Sequence, residues 1–309
     1  MVDCVTTAVE QLHIEGPNAA TVGMFDGVHR GHATLVQTLC SKARALGGRG
    51  IVLTFDRHPS EVVSPEKTPR YLTTIERKAK LLREYGADEV VILEFNQDVA
   101  ALSPEEFAAD ILVKRLNTRA AVVSRTFRFG TGRSGNADRL KSLGEALGFE
   151  VTVVPPVEAH GAIISSTRIR SLISHGRVKD AADLLGRPFE LPGRVVAGIG
   201  VGAALGFPTA NLAPPEKHII PAKGVYAGSV LLDNELLPAA INIGERPTIA
   251  PGELLVEAHI LDFEGELYGR EMTIVFVDRL RDEKKFPSRA ELTEQIRKDI
   301  ETIRALLSA

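Results

Sequence analysis

The chain of 309 residues is predicted to form two domains, an α/β domain over residues 1–186 and a small antiparallel sheet or barrel over residues 187–309. Two observations predict this division. In the first part, apolar strand-like segments alternate with amphipathic ones, as in a doubly wound parallel sheet with crossover helices. After residue 187, strand-like segments follow one another through Gly, Pro and Asp turns with little helix between them, which is typical of antiparallel sheets.

In the first domain, strands are predicted at residues 20–25, 50–55, 88–94, 119–124 and 150–154. Helices are predicted between them near residues 31–46, 75–85, 104–115 and 137–147. Ligands of such sheets bind beyond the carboxyl ends of the strands, at the point where the strand order reverses. We therefore expect a site at residues 25–32, directly after the first strand.

A helical pattern at residues 167–185 and the Arg187-Pro188 step mark the junction between the domains. In the second domain, strands are predicted at residues 193–198, 224–232, 237–243, 254–261 and 271–279. A terminal helix is predicted near residues 288–307, where Ser288 and Glu291 have the spacing of a capping box.

Composition excludes several classes of protein. Hydrophobic residues make up 44% and charged residues 25% of the chain, and the net charge is −3, which argues against a general nucleic-acid-binding surface. Cys4 and Cys40 have no metal-ligand spacing and form no disulfide framework. There is no apolar run of membrane-spanning length and no leader pattern, so we expect a cytoplasmic protein without a membrane partner.

Residues 21–32 form an apolar run that breaks at Asp26-Gly27 and places His29 and His32 on one face of a helix start. Backbone N–H groups and the positive end of a helix dipole favour an anion there. Gly31 removes a side chain at the point of approach. Two surface histidines are the alternative, but the preceding apolar strand favours a cradle for nucleotide phosphate.

Three further segments of the first domain lie at or after the ends of predicted strands: residues 54–59 (TFDRHP), which close the second strand, residues 127–130 (FRFG) and residues 164–170 (ISSTRIR). Aromatic rings can stack on a planar ligand, although each phenylalanine taken alone could equally fill the core. Hydroxyls at a helix start are usually caps. Two arginines in the same turn are not needed for capping, and arginine suits a polyphosphate.

The second domain contains a glycine-rich loop at residues 198–206 followed by Pro208, Thr209 and Asn211. Glycines let backbone N–H groups converge on phosphate, and hydroxyl and amide oxygens suit Mg²⁺. No lysine follows the glycines, so this is not a Walker A loop. Further along, Glu257 and His259 share one face of a predicted strand. Glu257 is either a base for a substrate hydroxyl or a solvated strand residue.

Residues 23–32 (GMFDGVHRGH), 127–130 and 165–170 resemble the adenylyltransferase module of the prokaryotic bifunctional riboflavin kinase/FMN adenylyltransferase family. The resemblance implies a Rossmann-like nucleotidyltransferase domain that transfers AMP from ATP to FMN, with His29 and His32 stabilising the leaving pyrophosphate. It implies nucleotide binding by Gly23, Phe25, Asp26, Gly27, Gly31, Ser165, Ser166, Thr167 and Arg170. It implies flavin binding by Phe55, Phe127 and Phe129.

Residues 206–212 (GFPTANL), 224–226, 242–248 and 256–263 resemble the riboflavin kinase module of the same family, in the same order. The resemblance implies a six-stranded barrel in which Gly198, Gly200 and Gly206 approach the nucleotide. It also implies that Thr209 and Asn211 bind Mg²⁺-ATP. Glu257 would then be the base that activates the ribityl 5′-hydroxyl of riboflavin.

Two segments depart from the family pattern. Ser124-Arg125-Thr126 stands where the family usually has Gly-x-Asp or Gly-x-Asn, which predicts weakened or rearranged adenylylation. Ala203-Ala204 replaces a basic or polar residue in the glycine loop.

The resulting hypothesis is a bifunctional enzyme that phosphorylates riboflavin to FMN and adenylylates FMN to FAD, with ATP as co-substrate and Mg²⁺ as cofactor. The alternatives are the same fold with only the kinase retained, a non-catalytic flavin-binding module, and a different nucleotidylyltransferase or tRNA-charging relative. The sequence leaves the oligomeric state open.

Overall fold

The computed structural model describes residues 6–198, 202, 205–245 and 254–307. The chain divides into two compact units, Met1–Ser166 and Thr167–Ala309. Each unit has its own main sheet, and the two main sheets differ in strand direction, parallel in the first and antiparallel in the second.

The strands of the first unit are β1 (Thr6–Thr7), β2 (Asn18–Val22), β3 (Arg49–Phe55), β4 (Glu89–Leu93), β5 (Thr118–Ser124), β6 (Arg128–Phe129), β7 (Gly135–Asn136), β8 (Glu150–Val154), β9 (Glu158–Ala159) and β10 (Ala162–Ile163). The helices are α1 (Arg30–Leu46), α2 (Ser60–Val63), α3 (Ile75–Glu84), α4 (Gln97–Ala101), α5 (Pro104–Glu106) and α6 (Ala137–Leu147). Short 3₁₀ turns lie at Val9–Gln11, Pro65–Lys67 and Thr131–Arg133.

Six parallel strands form the main sheet in the order β1-β4-β3-β2-β5-β8. The order reverses between β2 and β5, so the loop after β2 lies at the switch point, where ligands bind in such folds. Side chains of α1 and α3 pack on one face of this sheet. Side chains of α6 and of the segment Phe107–Arg115 pack on the other, which confirms the predicted doubly wound α/β fold.

Two predicted elements of this unit differ from the structure. The strand predicted at residues 20–25 is β2, which ends at Val22, because the chain turns through a left-handed residue at Phe25 (φ 48°). The helix predicted over residues 104–115 begins as α5 and continues as a π-helical segment, Phe107–Arg115. Ser103 caps its start through a reciprocal bond with Glu106.

The helices of the second unit are α7 (Ser166–Ser174), α8 (Val178–Leu185) and α9 (Arg289–Leu307). Its strands are β11 (Phe189–Val196), β12 (Ala210–Ala213), β13 (Gly224–Leu232), β14 (Glu235–Glu245), β15 (Leu254–Ile260) and β16 (Glu271–Arg281). The first residue of α7, Ser166, still belongs to the first unit. The six strands close into a barrel in the order β11-β12-β15-β14-β13-β16, as the resemblance implied. The helical pattern over residues 167–185 is two helices, because Gly176 takes a left-handed conformation (φ 73°).

The strand pattern by itself did not predict β12, a four-residue strand that begins two residues after Pro208. It also began β11 four residues late, since that strand starts at Phe189 rather than residue 193. Ser288 accepts a hydrogen bond from the backbone N–H of Glu291 at 3.3 Å, so the predicted start of the terminal helix is confirmed.

Candidate active sites

The loop after β2 has an unusual backbone. Phe25 (φ 48°) and Val28 (φ 36°) both have left-handed backbone angles, and Gly27 lies between them at φ 82°. Such angles are rare for residues other than glycine and are costly for β-branched ones, so strain of this kind tends to mark functional sites. Burial of both side chains holds the loop, since Phe25 and Val28 belong to the core beneath it.

The buried carboxylate of Asp26 stabilises the same loop by hydrogen bonds. It accepts hydrogen bonds from the backbone N–H groups of Leu72, at 3.0 Å, and Thr73, at 3.3 Å. The Thr73 hydroxyl in turn accepts from the N–H of Gly27 at 3.2 Å. These bonds fix the shape of the loop, and a nucleotide contact by Asp26 stays a prediction.

His29 and His32 lie at the start of α1 with their rings stacked, 3.6 Å between centroids and 15° between planes. His29 is the N-cap, and its Nδ1 accepts a hydrogen bond from the backbone N–H of His32 at 3.3 Å. A Cβ at Gly31 would come within 3.2 Å of the His29 ring. Gly31 therefore makes room for the imidazole, a packing role that adds to the predicted one.

The serine motif near residue 165 reaches this loop. The Ser166 hydroxyl donates to the Asp26 carbonyl at 2.8 Å, across 140 residues of sequence. Thr167 and Arg170 follow on α7 in the second compact unit. The contact of Ser166 thus joins two of the predicted nucleotide-binding segments.

A cavity of about 740 Å³ lies beside the loop. All three residues predicted to bind flavin line it, Phe55, Phe127 and Phe129, together with Gly23 of the loop. The rings of Phe127 and Phe129 stack at 5.2 Å. The cavity thus offers a slot for a flat aromatic ligand next to the loop proposed for phosphate.

Other residues of this cavity were not predicted from the sequence. Phe95 and Phe107 also line it, and Phe95 meets Phe55 edge to face at 5.2 Å. Phe95 comes just after the carboxyl end of β4, the position that in a parallel sheet could have drawn attention to it. The cationic residues Lys67, Arg128 and Arg133 also line the cavity.

In the barrel, three polar residues lie in one row across adjacent strands. Glu257 on β15 is paired with Asn211 on β12 and with Asn242 on β14. Directly paired residues of antiparallel strands share a face. Because Val256, Ala258 and Ile260 are buried, this row lies on the opposite, outer face of the barrel wall.

The Glu257 carboxylate is held on both sides. Its Oε1 accepts from the Thr209 hydroxyl and its Oε2 from the Asn242 amide, each at 3.4 Å. The ring of His259, on the same face, has Nδ1 2.8 Å from the Pro208 carbonyl. Glu257 is therefore a positioned carboxylate beside hydroxyl and amide groups.

A second cavity, of about 270 Å³, opens at this row. Thr209, Asn242 and Glu257 line one side, and Leu292 and Ile296 of α9 line another. The helix is anchored beside the cavity because the Asp299 carboxylate accepts from Arg281 Nη2 at 2.7 Å and from Arg281 Nε at 3.1 Å. Sequence reasoning missed this pair, which joins residues of β16 and α9.

Close packing explains two glycines of the loop before β12. A Cβ at Gly198 would lie 2.0 Å from the Asn211 amide nitrogen, and one at Gly202 would lie 2.4 Å from the Phe207 carbonyl oxygen. Gly206 needs glycine for a different reason, its φ of 86°. The predicted contact at Gly200 and the departure at Ala203-Ala204 lie outside the described residues.

Fold and sites together define a transferase with one candidate active site in each unit. Residues 12–168 match the family model described as FAD synthetase, and residues 185–307 match the model described as riboflavin kinase. The chain belongs to the bifunctional riboflavin kinase/FMN adenylyltransferase family, and it is a bifunctional enzyme of FAD biosynthesis.

Curated relatives with that bifunctional name match this chain over almost their full length. The protein of Escherichia coli K12 is 40% identical over 285 residues, covering 92% of this chain and 91% of the relative. The Pseudomonas fluorescens protein is 40% identical over 288 residues, covering 93% and 92%.

A crystal structure described as a macrolide-efflux protein from Streptococcus pneumoniae matches with a TM-score of 0.88 at 31% identity, covering 97% of this chain and 98% of that one. Within the described residues, no helix is long and apolar enough to cross a membrane.

Proposed function

We propose that the barrel unit phosphorylates riboflavin at Glu257 and that the α/β unit adenylylates the FMN so formed at His29 and His32. One observation supports this assignment most strongly. Phe55 lies far in sequence from the neighbouring pair Phe127 and Phe129, yet all three residues predicted to bind flavin line one cavity, together with Gly23. We place the functional boundary between residues 186 and 187, directly after the C-cap of α8 at Gly186.

In adenylyl transfer, a phosphate oxygen of FMN attacks the α-phosphorus of ATP, and the bond to the bridging oxygen of pyrophosphate breaks. Negative charge moves onto the leaving group, so the protein needs donors and cations rather than a nucleophile. Because His29 Nδ1 accepts a hydrogen bond, a neutral imidazole carries its proton on Nε2, where it can donate to phosphate. Ser165 adds a hydroxyl donor, whereas the Ser166 hydroxyl donates to the Asp26 carbonyl and so supports the loop. The roles of Thr167 and Arg170 rest on the motif alone.

In the kinase reaction, the 5′-hydroxyl of riboflavin attacks the γ-phosphorus of ATP while its proton passes to Glu257, and ADP leaves. A primary alcohol is a weak nucleophile until that proton departs. The hydrogen bonds from Thr209 and Asn242 aim the carboxylate, and its position on the outer barrel face opens it to the cavity under α9.

Thr209 and Asn211 suit Mg²⁺ because they offer neutral, hard oxygen ligands beside Glu257. Mg²⁺ bound with ATP usually takes only one or two protein ligands and completes its shell with phosphates and water. Among the described residues, no group of three His, Cys, Asp or Glu side chains could form a protein cage for a metal. When bound, the ion would neutralise phosphate charge, and these two side chains would orient it.

The test is incubation of the protein with riboflavin, ATP and Mg²⁺, followed by chromatographic separation of the flavins. We expect FMN to appear first and FAD to follow. FMN without FAD would support the kinase-only alternative, which the departure at Thr126 favours. Flavin binding with no consumption of ATP would contradict the proposal and indicate a binding module.

A further inference from the structure

Lys78 is buried in the α/β unit, where a lysine is unusual. It lies on α3 with 4% of its surface exposed. Its ammonium donates to the carbonyl of Met24 at 3.2 Å and to the carbonyl of Phe55 at 3.1 Å. Burying an ammonium costs free energy unless it is hydrogen-bonded, so the hydrogen bonds to these two carbonyls hold the Lys78 ammonium in place.

The two carbonyls belong to two different segments of the chain, and both segments line the aromatic cavity. Met24 directly precedes the strained turn at Phe25, and its carbonyl also accepts from the Thr54 hydroxyl at 3.2 Å. Phe55 is the last residue of β3, and its ring lines the aromatic cavity. One ammonium therefore joins the start of the phosphate loop to the wall of the proposed flavin slot.

We propose that Lys78 is a positioning residue for adenylyl transfer, which holds the His29–His32 loop and the Phe55 wall at the separation that places FMN in line with ATP. The inference rests on the proposed function of this unit. The rate of a reaction that depends on the orientation of its substrates falls steeply when they are misplaced, and a displacement of about 1 Å can lower it about 100-fold.

The test is Lys78→Met, which removes the donors and retains the length of the side chain. Lys80→Met is the matched control, because Lys80 lies on the same helix and is exposed. FMN binding is measured by flavin fluorescence, and kcat and KM of FMN adenylylation are measured separately. Riboflavin phosphorylation in the same sample reports on the intact second unit.

We expect Lys78→Met to weaken FMN binding and to lower kcat/KM of adenylylation by about 10- to 100-fold, with kinase activity and the Lys80→Met control near the parent. A purely structural lysine would lower the melting temperature and leave FMN affinity and kcat of the folded protein unchanged. That result would overturn the inference.

If Lys78→Met does not fold, Lys78→Gln, which retains N–H donors, takes its place. For Lys78→Gln we expect a smaller loss in kcat/KM of adenylylation, about 3- to 10-fold. A value equal to that of the parent protein would also overturn the inference. A parent protein that makes no FAD from FMN would contradict the proposed function instead, so the two failures are distinguishable.

Discussion

The imidazole of His29 lies flat against that of His32, with 3.6 Å between ring centroids. Helical spacing brings the two residues to one face, and the N-cap position of His29 completes the stack by turning its Nδ1 onto the His32 N–H. The two rings are thus already side by side, where both can contact a single anion.

Replacing either histidine by alanine should remove FAD formation from FMN while riboflavin phosphorylation stays near normal. A loss of about 10²- to 10³-fold is expected, as for removal of a donor that stabilises transition-state charge. The control is His13→Ala, an exposed histidine of the same unit. Equal loss of both activities in a variant that circular dichroism shows to be folded would contradict the assignment.

Thr126 is the position where the chain departs from its family, and its hydroxyl lies 3.3 Å from that of Ser124. Thr126→Asn extends the side chain and supplies an amide. If the usual amide or carboxylate makes a bond that threonine reaches poorly, FAD synthesis should rise, by about fivefold for a bond worth about one kcal/mol. An unchanged or lower rate of FAD synthesis would indicate a site rebuilt around Thr126.

Glu257→Gln keeps the shape of the side chain and removes its basicity. Riboflavin phosphorylation should fall by about 10²- to 10⁴-fold, while binding of riboflavin persists and adenylylation of supplied FMN continues. Glu235→Gln is the control, since Glu235 is an exposed carboxylate at the start of β14. Kinase activity within a few-fold of the parent would show that Glu257 is not the base.

Asp299→Asn should loosen the terminal helix. Asp299 is buried and receives hydrogen bonds from Arg281 and, at 2.9 Å, from Gln295. Since Arg281 is partly exposed, we expect a loss of about 1–3 kcal/mol in unfolding free energy. Because α9 lines the barrel cavity, KM for riboflavin should rise.

The measurements for Asp299→Asn are thermal unfolding and steady-state kinase kinetics. Glu294→Gln, which removes only an exposed pair with Lys298 on the same helix, should change neither. A stable Asp299→Asn variant with parental KM would show that the pair does not shape the flavin slot.

Much of the fold could be predicted because its signals are local. The apolar segments at residues 50–55 and 120–123 are buried on both faces in the structure, as is typical of parallel strands. The prediction was wrong where a local signal was weak or misleading. The four residues of β12 are too few to show a period, and the π-helical turns after Phe107 have nearly the same apolar pattern as an α-helix.

The sequence by itself determined the two architectures, the break after β2 and the motif residues, because periodicity, turn chemistry and short motifs all act over a few neighbouring residues. Only the tertiary structure decided that Phe95 and Phe107 join Phe55 around one cavity, that Asn211, Glu257 and Asn242 form one row, and that Lys78 is buried beneath the loop. These relationships depend on strand order and register, which bring together residues far apart in the chain, and no local pattern contains that information.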